Sequence, residues 1–239
     1  MSTPLVTSRP LDEYCALFGL TRSALAALPG PLLDCPGGTA GLAAEARALG
    51  VTVIAADPVY TATPPQLAAL ARAARTRMAD RMVTAPELYP SPRARPTERY
   101  LRSWDRAHAL FTADRAAHPE RYVAAALPRL PFADGSFALS LSSYLLFAYP
   151  ELFPPERQLA ALLELVRVTA PEGEVRVFPL HDGAARPCPH LPALRARLGE
   201  HRIGTEVRRF PRPEDGRTRR VLILRRADHR RRSAAPPRP

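Results

Sequence analysis

The sequence predicts an α/β domain built on a mostly parallel, doubly wound sheet of seven strands, closed by a C-terminal antiparallel hairpin. Three observations predict it. Short apolar runs alternate with helical periodicity along the chain. Several of those runs are apolar throughout, as strands covered on both faces are, rather than alternating as one-sided strands do. The last two runs are separated by only a Pro-Glu-Asp-Gly turn, which brings them back on each other.

Residues 10 to 29 place Leu11, Tyr14, Cys15, Leu17 and Phe18, then Leu25 and Leu28, at helical spacing; broken at Gly19, they read as two short helices. The first strand is the run Pro31 to Cys35, which ends in the glycine-rich turn Pro36-Gly37-Gly38-Thr39. A helix follows over Ala40 to Leu49, with Gly50 placed for a left-handed C-terminal cap. Val51 to Ala56 is the second strand and stops at Asp57-Pro58. Residues 61 to 119 insert two helices, Gln66 to Met82 and Arg99 to Ala117, around a breaker segment, Pro86 to Pro96. The alternation resumes with a short strand at Tyr122 to Ala125, a loop at Leu127 to Gly135 and a strand at Phe137 to Ser142. Glu156 to Thr169 is a helix, Pro171-Glu172-Gly173 a turn, Glu174 to Leu180 a strand, and Leu191 to His201 a helix. Thr205 to Phe210 and Arg219 to Leu224 form the hairpin, and residues 227 to 239 read as an Arg/Pro-rich disordered tail. The organisation is therefore N-terminal helices at 1–30, the domain at 31–226 and the tail.

Composition narrows the function classes. Of 239 residues 46% are hydrophobic and 24% charged, ordinary values for a folded globular chain. All 34 basic residues are arginine and the formal charge is +11, of which the segment from Arg225 onward supplies +5. With lysine and asparagine both missing, this skew reads first as genome composition and second as a nucleic-acid footprint. Three widely spaced cysteines argue against a disulfide framework, and with no apolar leader or long apolar run the expectation is a cytoplasmic protein with no membrane role.

In a doubly wound sheet the ligand lies beyond the carboxyl ends of the strands. Those ends carry Asp34 to Gly38, Asp57, Ala126 to Leu130, Ser142 to Tyr144 and Leu180 to Asp182. A glycine turn after the first strand admits a ligand close to backbone, and an acid ending the second strand, 19 residues beyond Gly38, is placed to bind ribose hydroxyls. That pattern selects a nucleoside-bearing cofactor. The turn lacks the Gly-x-Gly-x-x-Gly spacing of a dinucleotide site and the Gly-Lys-Ser/Thr of a P-loop.

Here the chain resembles the class I S-adenosylmethionine-dependent methyltransferases, over roughly residues 30 to 225. Leu33-Asp34-Cys35-Pro36-Gly37-Gly38 is similar to their first motif and Asp57 to their ribose-binding acid. Leu130-Pro131-Phe132-Ala133-Asp134-Gly135-Ser136-Phe137 resembles the loop before their fourth strand, and Arg167 to Glu174 the approach to their fifth. The resemblance implies a Rossmann-like doubly wound fold, S-adenosyl-L-methionine as cofactor, and methyl transfer by in-line displacement to a small-molecule or macromolecular acceptor. Alignment of the two reactants alone is worth roughly 7–11 kcal/mol. The cofactor-binding residues it implies are Asp34, Pro36, Gly37, Gly38, Asp57, Pro58, Leu127, Ser142 and Ser143. The chain departs from the family's pattern at Pro36, Ala40, Ala126 and Ala138, which leaves a non-catalytic member open as an alternative.

His181, Asp182 and Tyr144 are the candidate catalytic residues, each also an ordinary residue for a strand end. Tyr14 either closes over the cofactor or packs the core. The insertion at 61–119 falls on the ligand side of the sheet and is read as a lid; Tyr100, Trp104, His108 and Phe111 either line it or pack it. Its arginines, among them Arg72, Arg81 and Arg95, either bind an anionic acceptor or form a solvated face. His181, Cys188 and His190 fit no standard zinc spacing, so no metal is expected. The remaining alternative is a nucleic-acid-binding module that uses the basic tail.

Overall fold

The computed structural model describes residues 4–86, 97–211 and 217–227. Seven strands form one sheet: β1 (Leu32–Asp34), β2 (Val53–Ala56), β3 (Tyr122–Val123), β4 (Phe137–Ser143), β5 (Thr169–Phe178), β6 (Ile203–Pro211) and β7 (Thr218–Arg226), in the order β3-β2-β1-β4-β5-β7-β6. β3, β2, β1, β4 and β5 run parallel, and β7 is antiparallel to both β5 and β6. This is the doubly wound, Rossmann-like, mostly parallel sheet with a closing hairpin that the periodicity predicts. The turn at 213–216, the breaker segment from residue 87 and the basic tail from residue 228 lie outside the described residues.

Successive residues of the strands divide between two hydrophobic cores, as the two-residue period of a strand requires. Leu33, Val175, Val177, Leu222 and Leu224 pack with α6 (Pro155–Val168) and α7 (Leu191–Glu200). Leu32, Val53, Leu141, Val221 and Ile223 pack on the other face with α1 (Leu11–Phe18), α3 (Leu42–Arg47) and Phe111 of α5 (Thr97–Ala117). A third cluster, Met78, Leu101 and Trp104, joins α4 (Pro64–Thr84) to α5. A short α2 (Arg22–Ala26) precedes β1; α3 ends on Ala48 as its C-cap, and Gly50, expected in that place, holds φ +75° in the turn beyond it. Among the described residues no helix is long and apolar enough to cross a membrane, and Cys15, Cys35 and Cys188 are free thiols.

Two expectations need correction. The strand assigned to Tyr122–Ala125 pairs with β2 only through Tyr122 and Val123. The turn at Pro171-Glu172-Gly173 lies inside β5, which starts directly from α6: Thr169 faces Phe137, the next pair is Glu174 with Leu139, and the residues between bulge out. Crowding demands glycine at the end of that bulge, because a Cβ on Gly173 would lie 2.6 Å from the Ala138 carbonyl oxygen.

Arg167 ties the loop before β4 to α6. Its guanidinium donates to the carbonyls of Leu130 and Phe132 and to Asp134 and Glu164, while Glu164 accepts from the Leu130 N–H. The loop stretch from Leu130 and the stretch that begins at Arg167 are thus one hydrogen-bonded unit. Replacing Arg167 by alanine removes a charge-assisted cluster that is partly open to water. The expected cost is about 1–2 kcal/mol in urea denaturation, and a change below a few tenths would refute the cluster's role.

Candidate functional site

The strand order reverses between β1 and β4, so the crevice of the sheet opens where those two strands end. The sequence-predicted cofactor residues gather there. Asp34 ends β1, Ser142 and Ser143 end β4, and Asp57 follows β2. Asp57 is 6% exposed, and both of its carboxylate oxygens hold backbone: Oδ2 accepts from the Gly38 N–H at 2.9 Å and Oδ1 from the Val59 N–H at 3.0 Å. Burial pushes its carboxyl up, against those two hydrogen bonds. Gly38 sits at φ +53°, and a Cβ there would lie 2.8 Å from the carbonyl oxygen of Thr7. At Gly37 a Cβ would strike the Tyr60 hydroxyl and come within 2.9 Å of Ala55 Cβ. Pro36 is half-buried, Pro58 is exposed, and Leu127 packs in the α6 core with Leu33 and Cys35.

The glycine turn is covered by the chain's own N-terminal segment. Thr39 and Gly41 N–H donate to the carbonyls of Thr7 and Arg9, Gly37 N–H donates to Ala56, and Ser8 and Thr39 share a buried hydroxyl hydrogen bond of 2.7 Å. Asp34 lies under this cover. Its Oδ2 accepts from the Tyr14 hydroxyl at 2.8 Å, whereas Oδ1 is buried with no partner, as is Ser142 Oγ. Burial pushes the Asp34 carboxyl up to about 8, more than the Tyr14 hydrogen bond lowers it, so the group is mostly protonated at neutral pH. Ser143 also bonds Tyr14, whose hydroxyl titrates well above its usual range because it is buried and faces Asp34.

Beyond β4 and β5 lies a cavity of about 270 Å³. Tyr144, His181 and Asp182 all line it, so the structure brings the three candidate catalytic residues together. It does not bring the cofactor candidates into that lining, which comes instead from the N-terminal segment and α1 (Arg9, Glu13), from α4 (Met78, Arg81) and from Tyr100 of α5. Of the insertion, Met78, Arg81, Met82 and Tyr100 line the cavity, while Trp104 and Phe111 are buried packing residues. Tyr144 holds a left-handed backbone at φ 51°, with its N–H on the Phe178 carbonyl at 2.7 Å.

His181 Nδ1 lies 2.8 Å from the Asp182 carbonyl oxygen. A carbonyl only accepts, so Nδ1 donates in this contact, and the tautomer that does so without a proton on the other nitrogen has Nε2 as its acceptor. Asp182 is used differently. Burial would raise its carboxyl, but the Ala184 and Arg186 N–H groups on Oδ1 and the Arg186 guanidinium on Oδ2 hold it below the ordinary range and close the 182–186 loop. Both oxygens are committed to that loop. His190 Nε2 lies 2.8 Å from Gln158 Oε1 and 3.4 Å from Cys188 Sγ, and among the described residues no group of three metal-ligating side chains converges.

Sequence reading missed Arg9 and Glu13. Arg9 is 3% exposed, stacks 4.1 Å from the Tyr144 ring centre and donates to Glu13 at 3.0 Å. The signal was an ordinary acid and base four residues apart, which on most helices is a solvated pair.

No family model matches the chain. It is similar to an uncharacterised protein of Methanocaldococcus jannaschii, 21% identical over 177 residues that span 74% of this chain and 77% of that one. Among solved structures it is similar to the 1,6-didemethyltoxoflavin-N1-methyltransferase of Burkholderia thailandensis, which holds 1,6-didemethyltoxoflavin and S-adenosylhomocysteine. That pair is 20% identical, covers 87% of this chain and 76% of the other, and has a TM-score of 0.47. A SAM-dependent methyltransferase of Aquifex aeolicus is 13% identical over 89% of this chain and 92% of its own, with a TM-score of 0.39. These likenesses are of fold.

The raised Asp34 carboxyl has a measurable consequence. A carboxyl whose folded pKa of about 8 exceeds the unfolded value of 3.8 binds more protons when folded, so its contribution to stability is greatest below about pH 4 and is lost as pH rises toward 8. Asp34→Asn keeps the acceptor for Tyr14 and removes the titration. In urea denaturation the wild type should lose stability relative to the variant between about pH 5 and pH 8, by up to about 1.4 kcal/mol per pH unit. Parallel curves would show that Asp34 is ionised in the fold.

Proposed function

We propose that the chain is an S-adenosylmethionine-dependent methyltransferase of the cytoplasm that acts on a small-molecule acceptor held in the cavity beyond β4 and β5. The observation that carries this reading is the pair of buried, unpartnered polar atoms, Asp34 Oδ1 and Ser142 Oγ, at the point where the strand order reverses. Each such atom costs about 1–3 kcal/mol until a ligand or water meets it.

The residues present fit the cofactor. Asp57 retains a second lone pair on each oxygen for ribose hydroxyls, Gly37 and Gly38 keep side chains off the turn, and Pro58, Leu127 and Ser143 flank it. When bound, S-adenosylmethionine supplies a methyl carbon made electrophilic by its sulfonium. The chain's own work is then to orient the acceptor against the apolar walls of the cavity, to exclude water there, and to take up the acceptor's proton at His181 Nε2. Asp182 positions the loop that presents His181, and Tyr144 and Phe178 form its wall.

That the N–H groups of the turn are all committed within the chain favours a second reading, a methyltransferase-like protein that takes up no cofactor. Calorimetry with S-adenosylhomocysteine separates the two. We expect saturable binding of the folded protein; none at millimolar ligand would sink the first reading. Asp57→Ala should weaken that binding at least tenfold, and an unchanged affinity would remove Asp57 from the ribose. His181→Ala should leave the affinity within twofold and lower turnover at least tenfold on any acceptor the protein methylates; equal turnover would exclude it as the base.

A further inference from the structure

Glu13 is 8% exposed, stands on α1 and lines the cavity. Its two oxygens are treated unequally. Oε1 accepts from Arg9 Nε at 3.0 Å and from the Tyr100 hydroxyl at 2.9 Å, while Oε2 is buried with no donor. The asymmetry has a cause. Arg9 is held with its guanidinium carbon 4.1 Å from the centre of the Tyr144 ring and 5.5 Å from that of Trp104, and it turns Nη1 to the hydroxyl of Thr7. Stacked in this way it presents Nε alone to Glu13 instead of the two-pronged contact that would cover both oxygens. The charge of the carboxylate is balanced and its hydrogen-bonding capacity is not. A neutral donor answers that deficit, because a second cation would have to share the site with buried Arg9.

We propose that Glu13 Oε2 accepts a hydrogen bond from an N–H or O–H group of the ligand in this cavity, and that the ligand is a hydroxy- or amino-substituted aromatic molecule without net positive charge. Its class follows from the walls: Tyr144 and Phe178 line the cavity with aromatic rings, Met78 and Met82 with adaptable apolar contact, and about 270 Å³ admits one or two fused rings rather than a polymer. Naming this ligand the methyl acceptor rests on the methyltransferase reading above; the hydrogen bond does not. Glu13 is thus a specificity-determining residue, separate from His181.

Two probes that differ by one methyl group test it. With 2-naphthol and 2-methoxynaphthalene titrated by fluorescence into the full chain, with and without S-adenosylhomocysteine, the naphthol should bind at least tenfold more tightly. Glu13→Gln, which can put an N–H where Oε2 stands, should bring the two affinities to within about twofold. Tyr100→Phe leaves Oε2 in place and should keep the preference, so it decides the matter if Glu13→Gln does not fold. Equal affinities in the wild type, no binding of either probe at millimolar concentration, a preference that survives Glu13→Gln, or its loss in Tyr100→Phe would each overturn the proposal. A preference that holds while S-adenosylhomocysteine fails to bind would leave Glu13 in this role and refute only the methyltransferase reading.

Discussion

Two adjacent positions without side chains, Gly37 and Gly38, hold the ligand end of the sheet together. Backbone from the N-terminal segment reaches Gly38 from one side at Thr7, and the Asp57 carboxylate reaches its N–H. Ala55 of β2 and the hydroxyl of Tyr60 close on Gly37. Three stretches of chain, around residues 7, 37–38 and 55–60, therefore meet where neither glycine has room for a Cβ. Relief by repacking is small here, because two of the neighbours are strand and segment backbone that are themselves hydrogen-bonded. The position of Asp57, of the N-terminal segment and hence of Arg9 and α1 all follow from this turn.

From that turn outward the molecule buries polar groups more generously than it partners them. Asp34 Oδ1, Ser142 Oγ, Tyr60 Oη and Glu13 Oε2 are buried without partners at or near the carboxyl ends of β1, β2 and β4. A made hydrogen bond contributes about 0.5–1.5 kcal/mol net and an orphaned buried group costs about 1–3, so this end of the sheet is less stable than it could be. The opposite treatment is seen at Arg167 and Asp182, whose polar atoms are matched within the fold.

The layout of the domain was legible because periodicity reports burial directly. A strand apolar throughout, such as Val53 to Ala56, must be covered on both faces, and it is. The glycine turn and Asp57 were legible as features of the strand ends, and both have a structural use there: the glycines admit Thr7, Tyr60 and Ala55 at close range, and Asp57 holds the Gly38 and Val59 N–H groups. What could not be read depends on contacts across the chain. Nothing in Leu-Asp-Glu-Tyr announces that Glu13 will meet Tyr100, 87 residues away, or that Arg9 will be sandwiched by Trp104 and Tyr144. The turn at Pro171-Glu172-Gly173 has sound turn chemistry, yet ladder pairing on both sides of it makes it a bulge in β5.

The same reasoning bears on the basic charge. Guanidinium groups donate in several directions at once, and this domain uses that to join segments. Arg176 links Glu174 to the Phe18 carbonyl, Arg225 reaches Glu174 across the sheet, Arg226 caps the last carbonyls of α6, and Arg115 holds the Tyr60 carbonyl. Arginine in these places is a multidentate staple, a role lysine's single point charge fills poorly. A chain with arginine as its one long cation therefore gains internal cross-links along with its net charge.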